Sequence, residues 1–302
     1  MTSSPRPARL RLTGGRGRLA ALIADYFRAP RHHVELYSRT QGDGFGDLAR
    51  LCQETDWTCR DTLLHLAWST LPATSEQHPG REAEVDLPLL DSLLQSLTRL
   101  PSARRPHLVF FSSGGTIYGN APGRPNREDD PCHPIGNYGR AKLAAEARIN
   151  AAIVQHGLAC TILRISNPYG YPVPFARAQG VIPHAISAAA EGKTLRLWGD
   201  GHARKDFLYH TDFLAALDLV ITQRPIGSFN LCAGESHSIR EVIQLVERHT
   251  GRHVVLEHAP APSWDVTDSC LDPAKLCRVI AWRPQVSLEE GIRRSVAGAI
   301  EH

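Results

Sequence analysis

Short apolar runs alternate with longer amphipathic stretches through the first half of the chain. Ala8 to Leu12 reads as a short buried strand, and apolar Leu19, Leu22, Ile23 and Phe27 then recur at helical spacing. Val34–Tyr37 predicts a second strand, Thr62–Ala67 a third and Leu108–Phe111 a fourth, with a further β-rich run at Ala159–Ile165. Helical patterns fall at about Glu82–Leu97 and Tyr138–Gln155. Strands alternating with helices predict parallel βαβ units, hence an α/β chain with a doubly wound parallel sheet.

After Asn167 the texture changes. The Pro/Gly-rich excursion NPYGYPVPFARAQG precedes a helix near Val181–Glu191, a strand at Thr194–Trp198 and a helix over about Ile239–Thr250. The pattern divides the chain into a first domain over residues 1–167, to which a later segment at about 206–232 returns, and a smaller C-terminal α/β lobe over 168–302. In open α/β sheets ligands bind at the carboxyl ends of the strands, so the first domain is expected to hold a cofactor and the lobe a substrate.

Composition narrows the classes without choosing among them. A chain of 302 residues with 42% hydrophobic and 22% charged residues is an ordinary globular one. A net charge of +3 is too small to argue for nucleic acid or an anionic membrane. There is no apolar run of roughly 18 residues and no apolar h-region at the start, so neither a membrane span nor a secretory signal is expected. Seven scattered cysteines without CxxC or zinc-ligand spacing read as reduced, structural thiols of a cytoplasmic protein, and no HExxH accompanies the histidines. No metal site is expected.

Gly14, Gly15 and Gly17 follow a strand and open a helix, the context in which glycines let backbone N–H groups approach a pyrophosphate. Ala20, where a third glycine is common, is small enough for close helix–strand packing. Leu66 and Ala67 close the third strand on the same expected edge. At the end of the second strand an acidic residue would accept from the ribose 2′-hydroxyl of NAD, but Tyr37-Ser38-Arg39 stands there, with Arg16 and Arg18 inside the glycine turn. Guanidinium groups match a 2′-phosphate, which puts NADP slightly ahead of NAD; the alternative is that these arginines, among 30 in the chain, are solvated surface charge.

Tyr138-Gly-Arg-Ala-Lys142 opens a helix, and the i,i+4 spacing puts both side chains on one face. With seven tyrosines and four lysines in the chain, chance gives about 0.1 such pairs. An ammonium beside a phenol favours the phenolate, and lowering a tyrosine pKa by ~3 units takes ~4 kcal/mol.

The ordered set TGGxGxxA from Thr13, SSGGTIYG from Ser112, YGRAK from Tyr138, SNPYG from Ser166, GDGHARKDF from Gly199 and VSLEEGI from Val286 covers nearly the whole chain. It resembles the extended short-chain dehydrogenases/reductases of the NAD-dependent epimerase/dehydratase type, which modify nucleotide sugars. The resemblance implies a Rossmann-type fold, with Tyr138 as acid/base and Lys142 supporting both phenolate and cofactor. It also implies that Asn167 contacts the phosphate region of a nucleotide sugar, Val181 and Trp198 flank its base, Lys205 stands for a pyrophosphate-gripping arginine and Asp265 lies near the ribose. Trp198 reads equally as a core aromatic. Many relatives of this type dimerise through a four-helix bundle that includes the YxxxK helix, so the resemblance implies a homodimer, which Leu87–Leu97 and Leu143–Ile153 would suit; core packing explains both stretches as well. Departures are Asp86 for a common asparagine, Pro262 for an arginine, and Lys205 itself.

Family dehydratases carry an acidic residue where this chain has Gly114-Gly-Thr116, so dehydration is the weakest expectation. A nucleotide-sugar 4-epimerase leads, an NADPH-dependent 4-keto-sugar reductase follows, and a non-catalytic dinucleotide sensor on the same fold trails because it has no need of Tyr138 and Lys142. The family's hydroxyl partner of the tyrosine falls at Gly114, which moves the expectation to Thr116 or Ser113. Thr116 is preferred if the backbone there stays extended, since residues 114 and 116 then point the same way.

Overall fold

The computed structural model describes residues 8–28, 32–40, 42–121, 123–171 and 179–300, so residues 172–178 of the Pro/Gly-rich excursion lie outside the described residues. In chain order its elements begin with β1 (Arg9–Thr13), α1 (Arg18–Phe27), β2 (His33–Ser38), β3 (Gly46–Asp47), α2 (Leu48–Leu51) and β4 (Thr62–His65). Next come α3 (Pro72–Gln77), α4 (Arg81–Arg99), β5 (His107–Ser113), α5 (Gly114–Ile117), α6 (Asn137–His156), β6 (Cys160–Ile165) and β7 (Asn167–Tyr169). The remainder is α7 (Val181–Glu191), β8 (Leu195–Trp198), β9 (Arg204–Tyr209), α8 (His210–Gln223), β10 (Gly227–Leu231), β11 (Ser236–Ser238), α9 (Ile239–Thr250), β12 (Leu256–Ala259), β13 (Asp268–Ser269), α10 (Ala274–Ile280) and α11 (Leu288–Ile300).

Seven strands form one sheet in the order β10-β6-β5-β4-β1-β2-β3, with β1 parallel to both β2 and β4. Strand order reverses beside β1, which is the switch point where ligands of doubly wound sheets bind. In a second sheet β9 pairs antiparallel with β11 and parallel with β13 and β7, and β8 pairs with β12 apart from both. Two compact units result. The first comprises residues 1–112, 140–163 and 218–228; the second comprises 113–139, 164–217 and 229–302. No helix among the described residues is long and apolar enough to cross a membrane.

The first unit's core joins Leu90, Leu93 and Leu97 of α4 and Ala145 and Ile149 of α6 to Leu63, Leu108, Phe110 and Ile162 of the sheet. Core packing thus accounts for the leucines of α4, while Val154 on α6 stays 84% exposed. The second unit's core joins Ile182 and Ala185 of α7, Val242 and Val246 of α9 and Ile292 of α11.

The apolar pattern left one thing unseen. All five residues of β1, Arg-Leu-Arg-Leu-Thr, are buried. Leu10 and Leu12 fill one face, and the opposite face carries two arginines held by ion pairs. Arg9 pairs with Asp61 at 2.8 Å and Asp56 at 3.1 Å. Asp61 also accepts from the backbone N–H of Arg9 and Thr58. Arg11 donates to Glu35 at 2.8 Å and lies 4.2 Å from the Trp57 ring centroid. Glu35 in turn accepts the Tyr37 hydroxyl, and burial followed by that bond pushes the phenol up to about 12. Asp61→Ala would leave the buried Arg9 guanidinium to the exposed Asp56 alone, so urea unfolding should show a loss of up to about 3–5 kcal/mol.

Candidate active site

The glycine turn sits at the carboxyl end of β1. Thr13 directs its hydroxyl across to β4, where Oγ1 accepts from the N–H of Leu66 and of Ala67, both at 3.1 Å. With two donors already aimed at it, Oγ1 gives its own proton to Nδ1 of His65, 2.8 Å away. Burial holds that imidazole neutral, its pKa lowered to about 3. The bond fixes β1 to β4 where both chains turn away from the sheet.

Gly14 follows at φ +71°, and a Cβ there would stand 2.9 Å from the Ala67 nitrogen, so no side chain fits. Gly15 donates to the Tyr37 carbonyl and Gly17 to that of Gly14, which aims the chain into α1. Gly17 caps that helix without a side-chain bond, and its first turn has no acidic residue. This backbone cradle fits the pyrophosphate of a dinucleotide, with Leu66 and Ala67 on its far wall.

The end of β2 carries no carboxylate. Ser38 is buried with Oγ accepting from Thr40 N–H, and Arg39 is 43% exposed with Nη1 3.8 Å from Asp86. Arg16 leaves the glycine turn toward the same rim, its guanidinium 4.6 Å from the Phe45 ring and within reach of the Thr40 carbonyl. Arg18 opens α1.

Helix α6 carries Tyr138, half-buried in its first turn, and Lys142 one turn on. Lys142 is 4% exposed, donates to the Phe111 carbonyl at 2.9 Å and sits 3.7 Å from the Trp68 ring centroid. Burial lowers its pKa to about 7, against the carboxylates of Asp86, Glu146 and Glu82, which raise it.

The second unit begins at Ser113, half-buried at the end of β5. Here one expectation fails. The backbone does not stay extended, because Gly114–Ile117 turns at once into α5, so residues 114 and 116 do not share a side as in a strand. A Cβ at Gly114 would overlap the Leu271 methyl and stand 3.0 Å from the Arg164 carbonyl. Thr116 keeps its hydroxyl buried with no hydrogen-bond partner, and its carbonyl lies 2.7 Å from where a Cβ of Gly139 would stand. Thr116 therefore packs against the residue next to Tyr138.

Among the remaining expected residues, Lys205 and Asp265 meet each other at 2.8 Å, and Lys205 also donates to the Val266 carbonyl. Asn167 donates to the Asp206 carbonyl at 2.8 Å. Val181 is half-buried at the start of α7. Trp198 is not a core aromatic: it is 50% exposed, with the Arg196 guanidinium 5.6 Å from its ring. Among the described residues no group of three His, Cys, Asp or Glu side chains is placed to hold a metal ion.

The family model for the NAD dependent epimerase/dehydratase family matches residues 11–232. The chain belongs to that family. Over 306 aligned residues it is 28% identical to the UDP-glucose 4-epimerase of Mycolicibacterium smegmatis, covering 94% of this chain and 96% of that one. It is 25% identical to the dTDP-4-dehydro-6-deoxyglucose reductase of Escherichia coli, over 78% of this chain and 73% of that one. A crystal structure of the Thermus thermophilus UDP-glucose 4-epimerase in complex with NAD superposes with a TM-score of 0.85 at 27% identity, over 96% of this chain and 98% of that one.

Within this epimerase/dehydratase framework, residue-by-residue reading missed three groups. His65 reads as a buried strand residue until Thr13 is seen opposite. Ser269 of β13 is buried with an unpartnered hydroxyl, 3.6 Å from where a Cβ of Gly115 would stand. Trp68 covers Lys142, a pairing that no spacing in the sequence announces.

Two outcomes follow. Gly14→Ala should abolish dinucleotide binding, read as loss of the cofactor-induced rise in Tm, because both φ and the Ala67 backbone reject a methyl group. Gly114→Ser, which reinstates the common hydroxyl, should lower stability by about 1–3 kcal/mol without raising turnover, since the site is already filled by Leu271.

Proposed function

We propose that the protein is a nucleotide-sugar 4-epimerase dependent on a nicotinamide dinucleotide. The observation that carries this is Tyr138 and Lys142 one turn apart at the head of α6, with no carboxylate among Ser113–Thr116 to expel a hydroxyl. In this reading Gly14, Gly15, Gly17, Leu66 and Ala67 hold the dinucleotide, and Asn167, Val181, Trp198, Lys205 and Asp265 hold the nucleotide sugar. A nicotinamide held there would supply the hydride acceptor and donor.

Tyr138, as phenolate, removes the proton from the sugar carbinol and returns it once the keto-sugar has presented its other face. Lys142, as ammonium, stabilises that phenolate. Thr116, whose buried hydroxyl lacks a partner, hydrogen-bonds the reacting sugar oxygen, with Ser113 as the second donor. The relative from Mycolicibacterium smegmatis, matched nearly end to end, supports the choice of epimerase.

For the cofactor, Ser38 at the end of β2 with Arg39 and Arg16 on the same rim supports NADP over NAD. The same arginines favour a second reading, NADPH-dependent reduction of a nucleotide 4-keto-sugar, and the Escherichia coli reductase is a relative that carries that name.

A nucleotide-sugar panel, read for product epimers and for loss of NADPH absorbance, separates the two. Epimers without net cofactor consumption are expected, and stoichiometric NADPH loss on a keto-sugar overturns epimerisation in favour of reduction. Tyr138→Phe should lower kcat by at least about 10³-fold while leaving the cofactor Kd nearly unchanged, and Thr116→Ala by roughly 10²–10⁴-fold. A near-normal rate for Thr116→Ala transfers that role to Ser113.

A further inference from the structure

One residue of the second unit holds the short helix α5 at both of its ends. The Arg164 carbonyl, in β6, stands 3.0 Å from where a Cβ of Gly114 would be, so the start of α5 lies directly against the β6 backbone. The Arg164 guanidinium reaches the other end. Its Nη1 donates to the Tyr118 hydroxyl at 2.7 Å, and the group lies 5.0 Å from the Tyr118 ring centroid. Tyr118 closes α5, so Thr116 lies between the two points of attachment.

The Tyr118 hydroxyl accepts from Arg164 and donates to Oδ1 of Asn230 at 2.8 Å. Asn230, fully buried in β10, is anchored in turn: its backbone N–H donates to Glu128 at 2.8 Å, and Nδ2 donates to the Asn126 carbonyl at 2.9 Å. Arg164 Nη1 also donates to the Glu128 carbonyl at 3.2 Å. Burial pushes the Tyr118 phenol well above its usual range, so it stays protonated and keeps donating.

Packing alone would be met by phenylalanine, since the Tyr118 ring sits in an apolar cluster with Ile117, Cys232 and Leu271. The hydroxyl adds direction: a buried O–H with one donor and one acceptor partner has a fixed orientation, and both partners come from strand ends. Thr116 has no such support of its own. Its hydroxyl is buried without a hydrogen-bond partner, so its place is set by the helix that carries it.

We propose that Arg164 is a positioning residue which, through the Tyr118 hydroxyl, holds α5 where the Thr116 hydroxyl meets the reacting sugar oxygen. The consequence for turnover rests on the role of Thr116 in the proposed function; the hold on α5 belongs to the ligand-free protein.

Tyr118→Phe keeps the ring and removes the hydroxyl. It should lower kcat by roughly 10- to 100-fold while leaving KM for the nucleotide sugar and the cofactor Kd unchanged, because misplacement of a reacting group acts on the chemical step. In a Thr116→Ala background the same change should cost no more than about twofold further, since both variants remove one interaction. Amide exchange of Ile117 in the ligand-free protein should be at least about tenfold faster in Tyr118→Phe, with the amides of β5 and β6 keeping their rates.

A wild-type kcat or an unchanged Ile117 exchange rate in Tyr118→Phe overturns the proposal. So does a full additive loss in the Thr116→Ala background, which would place the effect elsewhere. Should Tyr118→Phe lose its cooperative unfolding transition, Arg164→Gln, too short to reach the phenol, must show the same loss of kcat and the same faster exchange. Faster exchange with a near-normal rate for Thr116→Ala overturns the link to Thr116. Faster exchange in a protein that turns over no nucleotide sugar refutes the proposed function and leaves the hold on α5 standing.

Discussion

One hydroxyl organises the edge of the sheet on which the cofactor chemistry depends. Thr13 Oγ1 accepts two backbone N–H groups from the end of β4 and gives its proton to His65. That places the Ala67 backbone against Gly14 so closely that only hydrogen fits between them. The positive φ of Gly14, the bond from Gly17 back to Gly14 and the direction of α1 all follow from this approach. A loop held only by its own turn geometry would lack such a fixed wall.

Charge inside the first unit is the second constraint. Buried ions are tolerated when partners satisfy them, and each one here solves the problem differently. Arg9 and Arg11 of β1 are answered by direct ion pairs from Asp61 and Glu35 and serve packing. Lys142 donates to the Phe111 carbonyl and lies against the Trp68 and Phe110 rings, where burial lowers its pKa.

The second unit meets its constraints by backbone approach. Leu271 and the Arg164 carbonyl fill the space beside Gly114, and the chain turns into α5 with the Thr116 hydroxyl buried and unpartnered. Lys205 and Asp265, predicted separately, form an ion pair at 2.8 Å.

The apolar periodicity determined the alternation of strands and helices, the glycine turn, and the Tyr138–Lys142 helix, because these are local: each needs only a period of two or 3.6 and a few turn residues. Helices α7 and α9 form over the very residues that the pattern marked. The single turn of α5 was not legible, since Gly114 and Gly115 allow either conformation and contacts with distant Leu271 and Arg164 decide between them. Nor was the exposure of Trp198, which depends on what packs beside β8. The tertiary structure alone also decided the fate of the charges. Arg9 finds Asp61 52 residues away, and Asp86 comes to face Arg39, because burial and electrostatics act through space whereas periodicity acts along the chain.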